Sequence, residues 1–270
     1  MTHVNEHNLL AKIIACPVCN TALPINDTDN RVVCSTCKSI FSKGRHIWDF
    51  FPTVIDWTSP IWETWKQIQA NGLVGYQHDP EHNLAVGERE DIRRFASFCN
   101  CAGMVLDVGC GPQSWPSYFE RSQTISYVGV DPLIEDAPGE FIRLKALAEF
   151  LPFRESIFDH VLFGTSLDHF ADPVAALKAA ARVCKSAGEI DIWVGEKTVN
   201  APKPAVSPKW YRQLQKPDLA EDLFHIKRLS SKDFIDIASA AGLTLVQTEI
   251  QTVDEFRKNY FYRLKTGKQA

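Results

Sequence analysis

The sequence predicts an α/β fold in which a mostly parallel sheet follows a small cysteine-rich unit. A short apolar run ends at Asp107, a Gly-x-Gly turn comes next, and Ser114 opens a helical pattern. A second apolar run ends at Asp131. Strand, glycine turn and helix in this order are typical of the first unit of a nucleotide-binding sheet. Two Cys-x-x-Cys pairs near the N-terminus indicate the separate unit.

Length and composition allow one large domain with a small appendage. The chain has 270 residues, of which 45% are hydrophobic, so it can bury a sizeable core. Its N-terminus lacks the features of a secretory signal, and no apolar run approaches the ~18 residues that a membrane span needs. We therefore expect a cytoplasmic protein with reduced thiols and no membrane span. The oligomeric state is left open.

The N-terminal cysteines have a spacing typical of a four-thiolate zinc site. The expected ligands are Cys16, Cys19, Cys34 and Cys37. A disulfide framework is disfavoured in the cytoplasm, and a redox site would need only one reactive pair. Four thiolates fill a tetrahedral zinc ion, so the ion is expected to be structural. A unit this small would depend on the metal for most of its stability.

Composition divides the chain into three segments: a cysteine-rich ribbon at residues 1–50, an aromatic connector and helix at 51–100, and a main domain at 101–270. Inside the ribbon, residues 23–25 and 32–33 flank turn-forming residues and predict a hairpin. Inside the connector, glycines and prolines predict loops and short helices. Its clustered tryptophans either anchor the ribbon to the main domain or form an aromatic lid over a cleft.

Two helices of the main domain have clear end signals. One begins after Asp172, which can cap its first turn, and is expected to stop at Gly188. The other begins with a possible capping box between Ser230 and Asp233, and Gly242 is expected to end it. Helices at these positions would cover the faces of a parallel sheet.

Several stretches carry a family resemblance. "VLDVGCG", "GVDP", "ALAEFLPFRESIFDHVLFGTSLDHFADP" and "SAGEIDIWV" occur in order and with regular spacing. Over residues 101–270 the chain resembles the class I S-adenosylmethionine-dependent methyltransferases. The resemblance implies a Rossmann-like sheet, closed by strands at 243–250 and 260–264, of which the last is antiparallel. The first fifty residues resemble the zinc ribbon of the activator subunit of tRNA and protein methyltransferases, and the ribbon of a bacterial rRNA guanine methyltransferase.

The resemblance implies S-adenosylmethionine as the cofactor. The turn from Gly109 to Gly111 would approach the amino-acid portion, and Asp107 would meet its ammonium group directly or through water. Asp131 would accept hydrogen bonds from the ribose hydroxyls. Leu147 stands where the family usually has an acid for the adenine, so backbone groups would bind the adenine edge. The expected cofactor-binding set is Asp107, Gly109, Cys110, Gly111, Asp131, Pro132, Leu147, Ala148 and Ser166.

The implied reaction is an in-line displacement, in which a nucleophile attacks the methyl carbon of a sulfonium. Asp168 and His169 follow the fourth strand, where the acceptor should arrive. With an ordinary pKa of about 6.5, His169 is either the general base or a residue packed beneath the cofactor pocket. His225 is a second candidate base. It lies in a proline-rich insertion, residues 199–229, that carries Trp210 and Tyr211 and would suit a cover over the acceptor.

The charge pattern bears on the acceptor. Residues 51–195 carry 11 basic and 20 acidic side chains, whereas nucleic-acid-binding domains are normally basic. We therefore expect methylation of an O or N, and less readily a C, of a small-molecule or sugar-containing acceptor. The alternative is an rRNA or tRNA base, because the ribbon resembles that of an rRNA enzyme. The third hypothesis is a non-catalytic, methyltransferase-like docking partner, which the intact Gly109, Gly111 and Asp131 disfavour.

Overall fold

A computed structural model describes residues 4–26, 28–80, 89–113, 125–198, 200–201 and 207–267. Its helices are α1 (Val4–Ile13), α2 (Pro60–His78), α3 (Glu90–Cys99), α4 (Pro173–Val183) and α5 (Ser231–Ala240). Its strands are β1 (Arg31–Val33), β2 (Ile40–Lys43), β3 (Trp48–Asp49), β4 (Met104–Val108), β5 (Ser126–Val130), β6 (Ile142–Lys145), β7 (Phe158–Gly164), β8 (Cys184–Lys197), β9 (Leu243–Thr252) and β10 (Arg257–Thr266). Among the helices described, none is long and apolar enough to cross a bilayer.

The strands form one sheet with the order β1-β2-β3-β6-β5-β4-β7-β8-β10-β9. Strands β3 to β8 pair in parallel, while β10 lies antiparallel to both β8 and β9. This confirms the predicted mostly parallel sheet with an antiparallel last strand. The chain order reverses at β4, whose neighbours are β5 and β7. Ligands of such sheets bind outside the carboxyl ends of the strands at this reversal.

The cysteine-rich ribbon extends the main sheet. Strand β3 pairs in parallel with β6, with Trp48 opposite Leu144. The backbone N–H of Ala15 donates to the carbonyl of Pro152 at 3.0 Å. Buried ribbon residues, including Trp48 and Phe50, belong to the same hydrophobic core as the central strands. The ribbon therefore forms one edge of the sheet and shares its core.

The hairpin inside the ribbon differs from the predicted one. The prediction paired residues 23–25 with 32–33, but β1 pairs instead with β2, which follows it. The second Cys-x-x-Cys supplies the turn between them: the N–H of Cys34 donates to Ser39, and the N–H of Lys38 donates back to Cys34. Lys38 has a φ of 63°, the left-handed conformation that reverses the chain. A cysteine knuckle is thus also a hairpin turn.

The connector contains one long helix where the sequence predicted loops and short helices, so that prediction was wrong for residues 60–78. Helix α2 continues through Gly72 and Gly75, which suggested breaks, while Gly87 lies outside the described residues. Its buried positions include Trp65, Ile68, Asn71 and Gly75, which recur at helical spacing. The Nδ2 of Asn71 donates to the carbonyls of Gln215 at 2.8 Å and Leu223 at 2.7 Å. Tertiary contacts therefore stabilise a helix that its glycines alone would weaken.

Helix α4 begins as predicted but ends earlier. The side chain of Asp172 accepts a hydrogen bond from the N–H of Ala175 at 2.9 Å. The helix stops at Val183 and not at Gly188, because Cys184 is extended and begins β8 opposite Phe158. The chain thus passes from helix to strand without a loop.

The ends of helix α5 match the prediction. Ser230 and Asp233 form a reciprocal capping box at its start. The helix ends just before Gly242, which has a φ of 76°. The helix predicted from Ser114 lies outside the described residues.

Candidate active site

A cleft of about 420 Å³ opens where β4, β5, β6 and β7 end, at the reversal point of the sheet. Its volume lies in the range of sites that bind small ligands. The predicted residues that line it are Gly109, Cys110, Asp131, Pro132, Leu147, Ala148, Ser166, His169 and His225. Gly111 and Asp168 contact these wall residues, and Asp107 is buried at the end of β4. The fold therefore brings the predicted set together.

The turn after β4 requires glycine. Gly109 has a φ of 80°, and a Cβ there would meet the Cβ of Ser166 at 2.5 Å. Gly111 has a φ of 73°. The hydroxyl of Ser166 donates to the carbonyl of Val108 at 2.6 Å, which joins the turn to the end of β7. Backbone can approach a ligand closely here because no side chain intervenes.

Asp131, at the end of β5, is fixed by the backbone on both sides. One carboxylate oxygen accepts from the N–H of Gly111 at 2.9 Å, and the other accepts from the N–H of Leu133 at 2.7 Å. Burial raises the pKa of Asp131 to about 6, although these hydrogen bonds favour the charged form. A carboxylate held in this way keeps lone pairs available to a ligand in the cleft.

Asp107 is fully buried and does not form part of the cleft wall. Its Oδ2 accepts from the hydroxyl of Tyr127 at 2.5 Å, while its Oδ1 has no hydrogen-bond partner among the described residues. Burial raises the pKa of Asp107 to about 7, and the Tyr127 hydrogen bond opposes that change. Its direct contact with a ligand ammonium group stays a prediction.

The turn after β6 contains a residue that the sequence reasoning missed. Leu147 and Ala148 line the cleft as expected, and so does Glu149. The Oε1 of Glu149 accepts from the N–H of Asp172 at 3.1 Å, and burial raises the pKa of Glu149 to about 7. An acid two positions after Leu147 was visible in "ALAEF". It joins the cleft wall to the start of α4.

Two histidines and an aspartate meet at one end of the cleft. The ring centroids of His169 and His225 lie 4.6 Å apart. The Nε2 atoms of both rings lie 3.6 Å from a carboxylate oxygen of Asp168. The Nδ1 of His169 lies 2.7 Å from the carbonyl of Phe224, and the Nδ1 of His225 lies 2.8 Å from Asp222. The fold thus assembles all three predicted catalytic candidates.

The ring of His169 has a defined protonation state. A carbonyl oxygen only accepts hydrogen bonds, so the Nδ1 of His169 must carry the proton that bonds to Phe224. Desolvation in the cleft lowers the pKa of His169, and the charge of Asp168 only partly offsets this. His169 is therefore neutral near pH 7, and its Nε2 carries a lone pair.

Aromatic side chains from the insertion form the wall beside these histidines. Trp210, Tyr211 and Phe224 all line the cleft. Their rings contact one another, with centroids 4.4 Å apart for Trp210 and Tyr211. Trp210 also stacks on His78 of α2 with an interplanar angle of 8°. The insertion and α2 therefore cover the cleft together.

The connector tryptophans link the ribbon to this cleft. Trp57, Trp62 and Trp65 contact one another with centroids 5.5 to 6.0 Å apart. Trp57 also contacts Phe51, which directly follows the ribbon, and Trp65 lines the cleft. The same cluster thus lies between the end of the ribbon and the cleft.

The four ribbon cysteines lie in one cluster. Their sulfur atoms are within 4.8 Å of one another, and all four thiols are free. Two sulfur pairs, Cys16 with Cys37 and Cys19 with Cys34, are each 3.5 Å apart. Tetrahedral zinc with bonds near 2.3 Å separates its sulfurs by about 3.8 Å. The donor set therefore fits a zinc ion.

The sheet order, the glycine turn and the acid at the end of β5 define a Rossmann-like protein that binds its ligand at the chain reversal. The chain belongs to the methyltransferase domain family, whose model matches residues 76–248. Among curated proteins, no relative matches the sequence.

Solved structures share the fold at low identity. The 1,6-didemethyltoxoflavin-N1-methyltransferase of Burkholderia thailandensis, with bound 1,6-didemethyltoxoflavin and S-adenosylhomocysteine, is 15% identical, with a TM-score of 0.54 over 87% of this chain and 98% of that one. A complex of the Haloferax volcanii Trm112 methyltransferase activator with a methyltransferase is 15% identical, with a TM-score of 0.50 over 73% of this chain and 96% of that one. Geranyl diphosphate C-methyltransferase of Streptomyces coelicolor is 12% identical, with a TM-score of 0.50 over 72% of this chain and 84% of that one. The family match identifies a methyltransferase domain, and these neighbours show that its fold is that of class I S-adenosylmethionine-dependent methyltransferases.

Proposed function

We propose that this enzyme transfers the methyl group of S-adenosylmethionine to an oxygen or nitrogen of a small-molecule or sugar-containing acceptor. The observation that carries the proposal is one shared cleft: the glycine turn and Asp131 line one part, and His169, His225 and the aromatic wall line another. Its volume of about 420 Å³ is suited to small ligands. Cofactor and acceptor would thus meet in a single cleft.

The cofactor would lie along the ends of β4, β5 and β6. The turn at Gly109 would receive the amino-acid portion, and Asp131 would bind the ribose hydroxyls. Leu147 and Ala148 would bind the adenine edge through their backbone. The orphaned Oδ1 of Asp107 supports a role beneath the ammonium group, because a buried acceptor without a partner is costly unless a ligand or water satisfies it.

The acceptor would meet the neutral imidazole of His169. The sulfonium already activates the methyl group, so the protein has to position the nucleophile and remove its proton. As the new bond to the methyl carbon forms, the carbon–sulfur bond breaks and its electron pair stays on S-adenosylhomocysteine. The proton of the acceptor would pass to the Nε2 of His169, and Asp168 would stabilise the resulting imidazolium.

An RNA acceptor is the second candidate, and the acidic main domain argues against it. Phosphate binding needs clustered Lys and Arg, whereas residues 51–195 have 20 acidic and 11 basic side chains. The observation in its favour is the ribbon, which resembles the one carried by an rRNA enzyme.

The four-cysteine cluster would hold a structural zinc ion. The short sulfur–sulfur separations support this assignment, as does the pairing of the ribbon with the sheet edge. Zinc would keep the knuckles folded and so keep β3 in place against β6. Four thiolates leave no open position on the ion, so it would take no part in methyl transfer.

The deciding experiment is a methylation screen. The full-length protein is incubated with S-adenosylmethionine carrying a labelled methyl group, and with either pooled small metabolites or rRNA and tRNA. Mass spectrometry should find the label on a small molecule, and the His169→Ala variant should make much less of that product. Label on an RNA base would favour the second candidate. S-adenosylhomocysteine binding without any labelled product would favour a non-catalytic partner.

A further inference from the structure

We propose that Asp168, His169 and His225 form a divalent-metal site that binds an oxygen of the acceptor. The three side chains offer one carboxylate oxygen and two ring nitrogens within 4.8 Å of one another. Two histidines and one carboxylate are a recurrent ligand set for divalent ions such as Fe²⁺, and imidazole also suits Zn²⁺. The metal site itself rests on this geometry, whereas its role towards the acceptor rests on the proposed function.

The hydrogen bonds behind the rings orient both histidines as metal ligands. The Nδ1 of His169 must donate to the carbonyl of Phe224, because that oxygen can only accept. The Nδ1 of His225 faces Asp222, whose other oxygen accepts from Arg228 at 2.7 Å, so Asp222 is a charged acceptor. Each ring therefore has its Nδ1 engaged from behind and directs its Nε2 at the common centre. Metal-binding histidines are usually oriented in this way, through a carbonyl or a carboxylate on the other nitrogen.

The distances fit a metal centre better than direct hydrogen bonds. Each Nε2 lies 3.6 Å from an oxygen of Asp168, which is too long for a hydrogen bond. A tetrahedral ion with bonds near 2.1 Å separates its ligand atoms by about 3.4 Å. The centre is thus spaced to hold an ion.

A second cluster of possible metal ligands already contains a cation of the protein. Cys99, Cys101 and Asp191 also place their ligand atoms within 4.8 Å. There, however, the guanidinium of Arg263 already pairs with Asp191 at 2.7 Å. A protein cation therefore occupies the position that a metal ion would need. At Asp168, within the described part of the chain, the ion-pair partners are only the two histidines.

The position of the metal site in the cleft indicates the class of acceptor. His169 and His225 line the cleft, so coordination positions not filled by protein would open towards the acceptor. An ion with three protein ligands and open positions binds oxygen donors and lowers the pKa of a bound hydroxyl. We expect an acceptor that offers a hydroxyl oxygen to the ion. With the ion bound, the Nε2 of His169 would be a ligand and not the base of the proposed function. The bound hydroxyl would then lose its proton to solvent, and its oxygen would attack the methyl carbon as the carbon–sulfur bond breaks.

Cobalt provides a test that does not depend on turnover. Full-length protein, dialysed against a weak chelator so that the ribbon keeps its zinc, is titrated with Co²⁺ and followed by absorption spectroscopy. We expect one equivalent to bind with weak d–d bands and no thiolate-to-cobalt charge-transfer band. His169→Ala and His225→Ala should bind at least roughly tenfold more weakly, and Asp222→Asn roughly 10–100-fold more weakly. The exposed His46→Ala variant is the control and should bind like the wild type.

Several results would overturn the metal site. These are wild-type protein that binds no Co²⁺ saturably, a spectrum of the thiolate type only, and normal Co²⁺ binding by both histidine variants. Calorimetry with S-adenosylhomocysteine, run on the same samples, separates this failure from failure of the proposed function. Pyrocatechol, whose hydroxyl oxygens can bind the ion, then tests the acceptor class: it should shift the d–d bands of the cobalt-loaded wild type. The absence of a shift would refute an acceptor bound to the metal.

Discussion

His169 and His225 are separated by the whole of β8 and most of the insertion, yet both direct Nε2 at the carboxylate of Asp168 from 3.6 Å. Each ring is held from behind by a hydrogen bond made through Nδ1. The insertion therefore does more than cover the cleft, because it delivers one of the two imidazoles. Any substitution that moves the insertion should therefore change the position of His225 relative to Asp168 and His169.

The first prediction concerns Asp131. The Asp131→Ala variant should bind S-adenosylhomocysteine about 1–3 kcal/mol more weakly, because the ribose hydroxyls lose their acceptor. Isothermal titration calorimetry measures the change, and a thermal melt checks that the turn at Gly111 still folds. The neighbouring exposed Glu135→Gln is the matched control and should bind normally. Equal affinities for wild type and Asp131→Ala would refute the ribose role.

The second prediction concerns the pH dependence of stability through Asp107. Its pKa is about 7 in the folded protein and about 3.9 when unfolded, so the native state holds an extra proton between these values. Asp107 therefore costs stability as pH rises through that window, with a slope of up to about 1.4 kcal/mol per pH unit. Asp107→Asn removes this titration.

The free energy of unfolding of Asp107→Asn minus that of wild type should therefore increase as pH rises from about 5.5 to 7. Urea denaturation at each pH measures the difference. Comparing the two proteins at the same pH cancels any loss of metal from the ribbon cysteines. The exposed Glu135→Gln variant should show no such trend, and a flat difference for Asp107→Asn would contradict the raised pKa.

The third prediction concerns the ribbon metal. Cys34→Ser should lose the zinc, which elemental analysis of the purified protein measures, and it should melt at a lower temperature. Because β3 pairs with β6 just before Leu147, we also expect a several-fold loss of cofactor affinity. Cys101→Ser removes a cysteine outside the cluster and serves as the control. A zinc-free variant with wild-type stability would show that the metal is dispensable.

The fourth prediction concerns the attachment of the insertion to α2. Asn71→Ala leaves the carbonyls of Gln215 and Leu223 without their donor, which should cost about 1–3 kcal/mol of stability. Asn71→Asp should lose more stability than Asn71→Ala, because a carboxylate would face two carbonyl oxygens. Chemical denaturation measures both variants against Gln67→Ala, which loses only an exposed contact to Gln215. Equal stability of all three variants would argue against this anchor.

Local spacing explains why parts of the site could be predicted. The glycine turn, Asp131 and the caps of α5 each depend on residues within a few positions of one another, so their patterns are visible in the sequence. The meeting of His169 with His225 depends on how the insertion folds back over the sheet. Its one local signal was Asp222, three residues before His225 and able to orient it.

Helix α2 shows the opposite case. Its glycines indicated loops, and nothing local revealed that Asn71 would bond to backbone from the insertion. The same holds for the ribbon, where the chain after the second cysteine pair, and not the chain before it, supplies the partner of β1. Long-range pairing decides such elements, and short-range patterns carry little information about it.

The pairing of β3 with β6 has a consequence for the order in which the protein is made. The ribbon leaves the ribosome before the main domain, so its cysteines would be able to capture an ion while the main domain is still unmade. Its edge strand must then wait for β6, about a third of the chain later, before the two can join. The metal would thus act as an early clamp, holding a strand ready for a neighbour that has not yet been synthesised.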